Sequence, residues 1–254
     1  MIIVAGGDSF VWGSELKDSS LTDYSKNTFT ALVSKDYEYK CVAFPGYGND
    51  AAARSIIDYC EQNKNEPVFV IVSWTFPGRY EFKLNNSWTT ITSWTVGKQF
   101  EDDDHKHLNT IVDKFKHDAK QNGIYDFATA FFKHVGFTEY WEIYSTLKEI
   151  VYLQNYLKVN NIPYMFTAAN VDFLSSYTLS NPDASITSLH NQIEFDRWFF
   201  FPDQKGFHTW ALDNKYAIGD THPLESAHYD AAELIRSKFN ELVTQYNQQN
   251  QTRN

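Results

Sequence analysis

Three separated stretches hold residue types that can cooperate in nucleophilic chemistry: "GGDSF" at positions 6–10, "FPGYGND" at 44–50 and "GDTHP" at 219–223. A serine hydroxyl is a weak nucleophile. Its attack needs a histidine to take the proton and a carboxylate to hold the imidazole in the right tautomer. Ser9, His222 and Asp220 have the chemistry for those three roles. Attack on a carbonyl creates a tetrahedral oxyanion, which needs preorganised donors, and glycine lets a backbone N–H approach closely. Gly46 can supply one such N–H and Ser9 its own. Asp8 reads as a structural acceptor of backbone N–H groups, and His228, six residues beyond His222, as a residue that packs or that supports the site's own residues from behind.

These residues act together only if the fold converges them. The run from Ile2 to Ala5 is β-branched and breaks at Gly6-Gly7, as a buried central strand ending in a tight turn does. Tyr39 to Phe44 repeats the design, followed by Pro45, Gly46 and Gly48 and then Asn49 or Asp50 capping a helix. Further strands are predicted from Pro67 to Ser73 and from Pro163 to Ala168, with a helix around 142–158 and a last helix just after His222 and Pro223. Alternating strands and helices predict an α/β fold, a three-layer α/β/α sandwich with a mainly parallel sheet of about five strands. The chain is expected to be one domain over 1–254, with insertions at about 79–140 and 190–215. In such sheets ligands collect at the carboxyl ends of the strands, where the three stretches and "SWTFPGR" would meet. Asn85-Asn86 flanked by alternating residues predicts a hairpin from Arg79 to Trp94, expected to wall or lid the site.

Composition narrows the partners. Hydrophobic residues make up 43% of the chain and aromatics 17%, enough for a large core and too many for a disordered or fibrous protein. Net charge is -10, with no Lys/Arg stripe to neutralise phosphates, so nucleic acid is not an expected partner. No run approaches the roughly 20 apolar residues of a membrane span, and no basic, then apolar leader opens the sequence. The expected location is therefore cytoplasmic or virion-associated. Cys41 and Cys60 read as thiols rather than a disulfide. Adjacent Asp and His residues point in different directions on a helix, so "EDDDHKH" at 101–107 reads as a solvated acidic face and not as a metal site. Among the tryptophans Trp74, Trp88, Trp94, Trp198 and Trp210, most are expected in the core, with Trp74 a candidate for stacking on substrate. Arg79 is a candidate for gripping a carboxylate or phosphate on substrate.

In block order and position, "GGDSF", "PGYGND" and "DTHPLESAH" resemble the SGNH (GDSL-like) hydrolase family over most of the chain. The resemblance implies a flavodoxin-like fold, with Ser9 as nucleophile, Gly46 as oxyanion donor, and His222 with the preceding Asp220 completing a triad. It further implies a serine esterase acting through a Ser9 acyl-enzyme on acyl or acetyl esters, with carbohydrate esters as the substrate class. No metal or organic cofactor is needed, because the serine is the nucleophile and water completes the second half-reaction. Two features depart from the family pattern. Its third block carries an oxyanion Asn within Gly-x-Asn-Asp, whereas this chain reads "IVSWTFPGR", where Thr75 is the nearest match and Asn49 an alternative donor or a helix cap. Its last block reads Asp-x-x-His, whereas Gly219 stands three residues before His222 and Asp220 only two. Those departures support an alternative, a catalytically silent module that binds glycan or a protein partner in a phage virion or surface assembly.

Overall fold

The computed structural model describes residues 1–84, 86–97, 106–174 and 183–251. In chain order the elements begin with β1 (Ile2–Gly6), α1 (Ser9–Trp12), α2 (Phe29–Val33), β2 (Glu38–Cys41), α3 (Asn49–Gln62) and β3 (Val68–Trp74). They continue with β4 (Tyr80–Leu84), β5 (Ser87–Ile91), α4 (Asn109–Gln121), α5 (Tyr125–Phe131) and α6 (Glu139–Val159). The last are β6 (Tyr164–Ala168), α7 (Ala184–His190), α8 (Phe207–Asp213) and α9 (Glu225–Gln251).

Four strands form a parallel sheet in the order β2-β1-β3-β6, with Ile3 opposite Tyr39 and Phe69, and Val72 opposite Phe166. Where a fifth strand would lie, a single parallel bridge joins Phe166 to Trp198. The strand-2 ladder stops at Cys41, short of the predicted Phe44, because Pro45 and Gly46 turn the chain away.

Alternation along each strand divides the core. Val4, Val70, Val72, Trp74 and Phe166 meet Ile56, Leu147 and Ile150 of α3 and α6 on one face. Ile3, Phe69, Ile71 and Met165 meet Phe29, Ala231, Ile235 and Phe239 of α2 and α9 on the other. Every residue of β3 is buried, so the strand that carries the sheet is covered on both sides and the architecture is three-layered.

The hairpin forms as the antiparallel pair β4–β5, with Tyr80 opposite Ile91 and Asn86 in the left-handed region (φ +65) at its turn. It packs on α5 through Tyr80, Ile91, Ala128 and Phe132. It is also clamped to α3. Arg54 Nε and Nη2 donate to the two oxygens of Glu81 at 2.6 and 2.8 Å, and the Glu81 N–H donates to Asp50 Oδ2. Burial pushes the Asp50 carboxyl up to about 6, against the pull of those N–H donors. Trp88 is half exposed, with the Arg54 guanidinium 4.7 Å from its ring centroid, so it rests against α3. Trp198 and Trp210 are buried in the core. Both cysteines are free thiols, and burial pushes Cys41 up to about 12 and Cys60 to about 11. Among the described residues no helix is long and apolar enough to cross a membrane. Residues 101–105 of the acidic run lie outside the described residues.

Candidate active site

Ser9 is held by a turn that the sequence dictates step by step. Asp8, extended at φ −114 and ψ −150, caps α1 by accepting the Phe10 N–H on Oδ1 at 3.0 Å. The single helical turn stops at Gly13 (φ +83), where a Cβ would meet Thr28 Cγ2 at 2.7 Å and overlap Ser25, so only glycine fits. Phe10, Val11 and Trp12 anchor the turn in the core and leave Ser9 at its N-terminus, 7% exposed. Two residues past Gly13, Glu15 adopts φ +70, a left-handed conformation costly for a residue with a Cβ.

That conformation brings Glu15 to the loop ahead of α9. Glu15 Oε1 lies 2.6 Å from His222 Nδ1, and His222 Nε2 lies 2.7 Å from Ser9 Oγ. The same carboxylate accepts the Thr221 hydroxyl at 2.8 Å, the Thr221 N–H at 3.1 Å and the His222 N–H at 3.3 Å. Partial burial pushes the Glu15 carboxyl up, but the hydrogen bond and charge of His222 and the bonds from Thr221 outweigh it and hold the group down at about 2. An ionised carboxylate only accepts, so Nδ1 carries a proton, and in the neutral form of the ring the lone pair lies on Nε2, where it accepts the Ser9 hydroxyl.

The geometry places a different carboxylate from the expected one at the imidazole. Asp220 sits exposed on the loop, and the carboxylate hydrogen-bonded to Nδ1 is Glu15. The reason is visible at Gly219: a Cβ there would overlap Glu15 Oε2, so the glycine leaves the space that the Glu15 carboxylate occupies.

Gly46 lies in a turn closed by the Tyr47 N–H donating to the Phe44 carbonyl at 3.1 Å, with Pro45 and Gly46 at its centre. Its φ of +87 favours glycine, and a Cβ there would meet nothing within 4 Å, so the residue borders open space. The N–H groups of Ser9 and Gly46 are engaged by no hydrogen bond among the described residues.

The other two expected oxyanion donors are committed elsewhere. Thr75 Oγ1 donates to Asp8 Oδ2 at 2.5 Å, and the Thr75 N–H donates to Asn49 Oδ1 at 2.8 Å. Asn49 Nδ2 donates to the Thr75 carbonyl and to Thr146 Oγ1, both at 3.2 Å, so this side chain ties α3 to β3 and α6. Gly48, not Asn49, is the residue that caps α3. Arg79 Nη1 donates to the buried Asp8 Oδ2 at 2.9 Å, and the guanidinium lies 5.6 Å from the Phe76 ring centroid. Arg79, at the base of the hairpin, thus reaches Asp8, the residue next to Ser9. Trp74 cannot meet substrate: it is wholly buried, edge-on to Phe166, because alternation along β3 turns it into the core with Val70 and Val72.

Two histidines complete the surroundings. His228 is buried in the first turns of α9, accepts the Phe29 N–H on Nδ1 at 3.2 Å and stacks on Phe29. Burial, then the nearby charge of His222, holds it down at about 3, so its ring is neutral. His208, from α8, lies against Phe10 and Phe76 beside the site, and no sequence motif singled it out. Among the described residues no cluster of His, Cys, Asp and Glu could hold a metal ion.

No protein-family model matches the chain, and no curated protein matches it. Solved structures do. A psychrotrophic esterase, EstA, from Pseudoalteromonas sp. is similar over 96% of this chain and 97% of its own, at 12% identity and a TM-score of 0.43. An acetyl xylan esterase, AlAXEase, is similar over 93% and 98%, at 13% identity and a TM-score of 0.43. A lipolytic protein of the G-D-S-L family from Desulfitobacterium hafniense is similar over 93% and 98%, at 10% identity and a TM-score of 0.43.

Proposed function

We propose that this chain is a serine esterase that hydrolyses acyl or acetyl esters through a Ser9 acyl-enzyme, with carbohydrate esters as its substrate class. The observation that carries the reading is the hydrogen-bonded series from Ser9 Oγ through His222 to Glu15, at 2.7 and 2.6 Å. Ser9 Oγ attacks the ester carbonyl as its proton passes to Nε2. The Glu15 carboxylate stays ionised, stabilises the imidazolium that forms, and keeps the ring aimed at Ser9. The oxyanion is met by the Ser9 and Gly46 N–H groups. Collapse of the tetrahedral adduct breaks the bond to the alcohol, which leaves with the proton from Nε2–H. Water then attacks the acyl-serine by the same route, with His222 taking its proton and returning it to Ser9 Oγ as the carboxylic acid departs. A metal or organic cofactor has no role in this sequence of steps. The carbohydrate reading is supported by the Phe76 ring and the Arg79 guanidinium beside Asp8, an apolar face and a donor suited to a polyol.

The test is steady-state hydrolysis of p-nitrophenyl acetate by the native protein and by Ser9→Ala. Removal of the nucleophile is expected to lower kcat by about a thousandfold or more. Undiminished turnover in Ser9→Ala would remove the reading.

A further inference from the structure

His208 is a titratable group at the site that the mechanism above does not use. Its ring centroid lies 5.4 Å from that of Phe10, which itself lies 4.9 Å from that of His222. On its other side it meets Phe76 edge-on at 5.6 Å, and Phe76 carries the Arg79 guanidinium that is bound to Asp8. The contacts therefore run in a circuit: Ser9, His222, Phe10, His208, Phe76, Arg79, Asp8 and back to Ser9. The backbone of His208 is fixed, its N–H donating to the Ala169 carbonyl at 2.9 Å. Its imidazole, half buried, is engaged by no hydrogen bond among the described residues.

Resting on the esterase reading, we infer that His208 is a specificity-determining residue, its imidazole hydrogen-bonding a hydroxyl of the substrate beside the scissile ester while Phe76 takes an apolar face of the same group. A neutral imidazole offers one donor and one acceptor, and a hydroxyl on a sugar ring can satisfy either. A simple alkyl or aryl ester satisfies neither and leaves a half-buried polar group unpaired on binding, so the site favours the polyol ester. Burial, and then the charge of His222, holds His208 below the usual histidine range, which keeps it neutral at pH 7.

The experiment compares kcat/KM for an acetylated methyl glycoside with that for p-nitrophenyl acetate in the native protein, His208→Phe and His208→Gln. Phenylalanine keeps the ring among Phe10 and Phe76, and glutamine keeps a donor and an acceptor. In His208→Phe the preference for the sugar ester is expected to fall about tenfold, the loss from one hydrogen bond, with hydrolysis of the aryl acetate nearly unchanged. His208→Gln should retain most of the preference. A preference unchanged in His208→Phe, or equal losses on both esters, would overturn the role of His208. Organophosphonate labelling separates the two readings. Variants that label at Ser9 while the preference stays flat dispose of this inference alone, whereas a native protein that does not label at Ser9 removes the esterase reading and this inference with it.

Discussion

The carboxylate of Glu15 occupies the space that a side chain on Gly219 would need, and from there it bonds the Nδ1 of His222 three residues along the chain. The acid and the histidine are thus joined across 207 residues of sequence rather than within one loop. Glu15→Ala should lower kcat by about a thousandfold to ten-thousandfold, because the imidazole loses its fixed tautomer. Asp220→Asn should change it little. Adding Gly219→Asp to Glu15→Ala vacates and then refills one space, and kcat on an aryl acetate should recover at least about tenfold over the single variant. A double variant no better than Glu15→Ala would contradict the shared-space account.

Acid stability carries two signatures. Glu15 is held down from its ordinary 4.5 to about 2, so its contribution is complete above pH 4.5 and is lost as pH falls from there toward 2. His228 is held down from 6.5 to about 3, so the unfolded chain takes up a proton that the folded one refuses, and stability declines as pH falls from 6.5 toward 3. Asp50, pushed up from 3.8 to about 6, works the other way as pH falls through 6, so the His228 signature is a difference: between pH 7.5 and 4 the native protein should lose more melting temperature than His228→Asn, which keeps an acceptor for the Phe29 N–H and cannot titrate.

Gly46 and Gly13 share a left-handed φ and should differ in what they lose. Gly46→Ala meets no atom within 4 Å and should cost about 1 kcal/mol from the backbone alone, while lowering kcat by placing a methyl group at the proposed oxyanion donor. Gly13→Ala strikes Ser25 and Thr28 and should yield little folded protein. Soluble yield, melting temperature and turnover of the pair distinguish the two effects.

The hairpin clamp is a further point of leverage. The Glu81 side chain is 3% exposed, so Arg54→Met strands a buried carboxylate and should cost about 3 kcal/mol or more. Arg54→Met combined with Glu81→Leu should be more stable than Arg54→Met alone, by urea denaturation. Trp88→Ala, at the surface of α3, should leave turnover on both aryl and sugar esters nearly intact, because Arg79 and not the hairpin's tryptophan reaches the turn that holds Ser9.

Much of this was legible in residue order. Gly-Gly after a β-branched run marks the turn at Ser9, and His-Pro ahead of an amphipathic run marks the mouth of the last helix, so the positions of both residues of the proposed pair could be read. Gly46 was legible because Pro-Gly has a defined turn geometry. Glu15 was not, since it lies in the irregular "GSELKDSS" and becomes relevant only through a left-handed backbone that no local pattern encodes. Trp74 misled because a strand buried on both faces reads as one apolar run, and nothing in the sequence says which residues point away from the site. Thr75 and Asn49 had suitable side chains, but their hydrogen-bond partners, Asp8 and Thr146, come from distant segments. His208 was hidden in an aromatic stretch whose folding depends on the core it joins.

The central claim is that Ser9 is a nucleophile activated through His222 and Glu15, and covalent capture reads it most directly. The native protein, treated with an active-site-directed organophosphonate, should gain one adduct mapped by peptide mass spectrometry to Ser9. Labelling should be abolished in Ser9→Ala and slowed by about a thousandfold in Glu15→Ala, since the imidazole no longer takes the proton efficiently. An adduct on another residue, or labelling as fast in Glu15→Ala as in the native protein, would contradict the account.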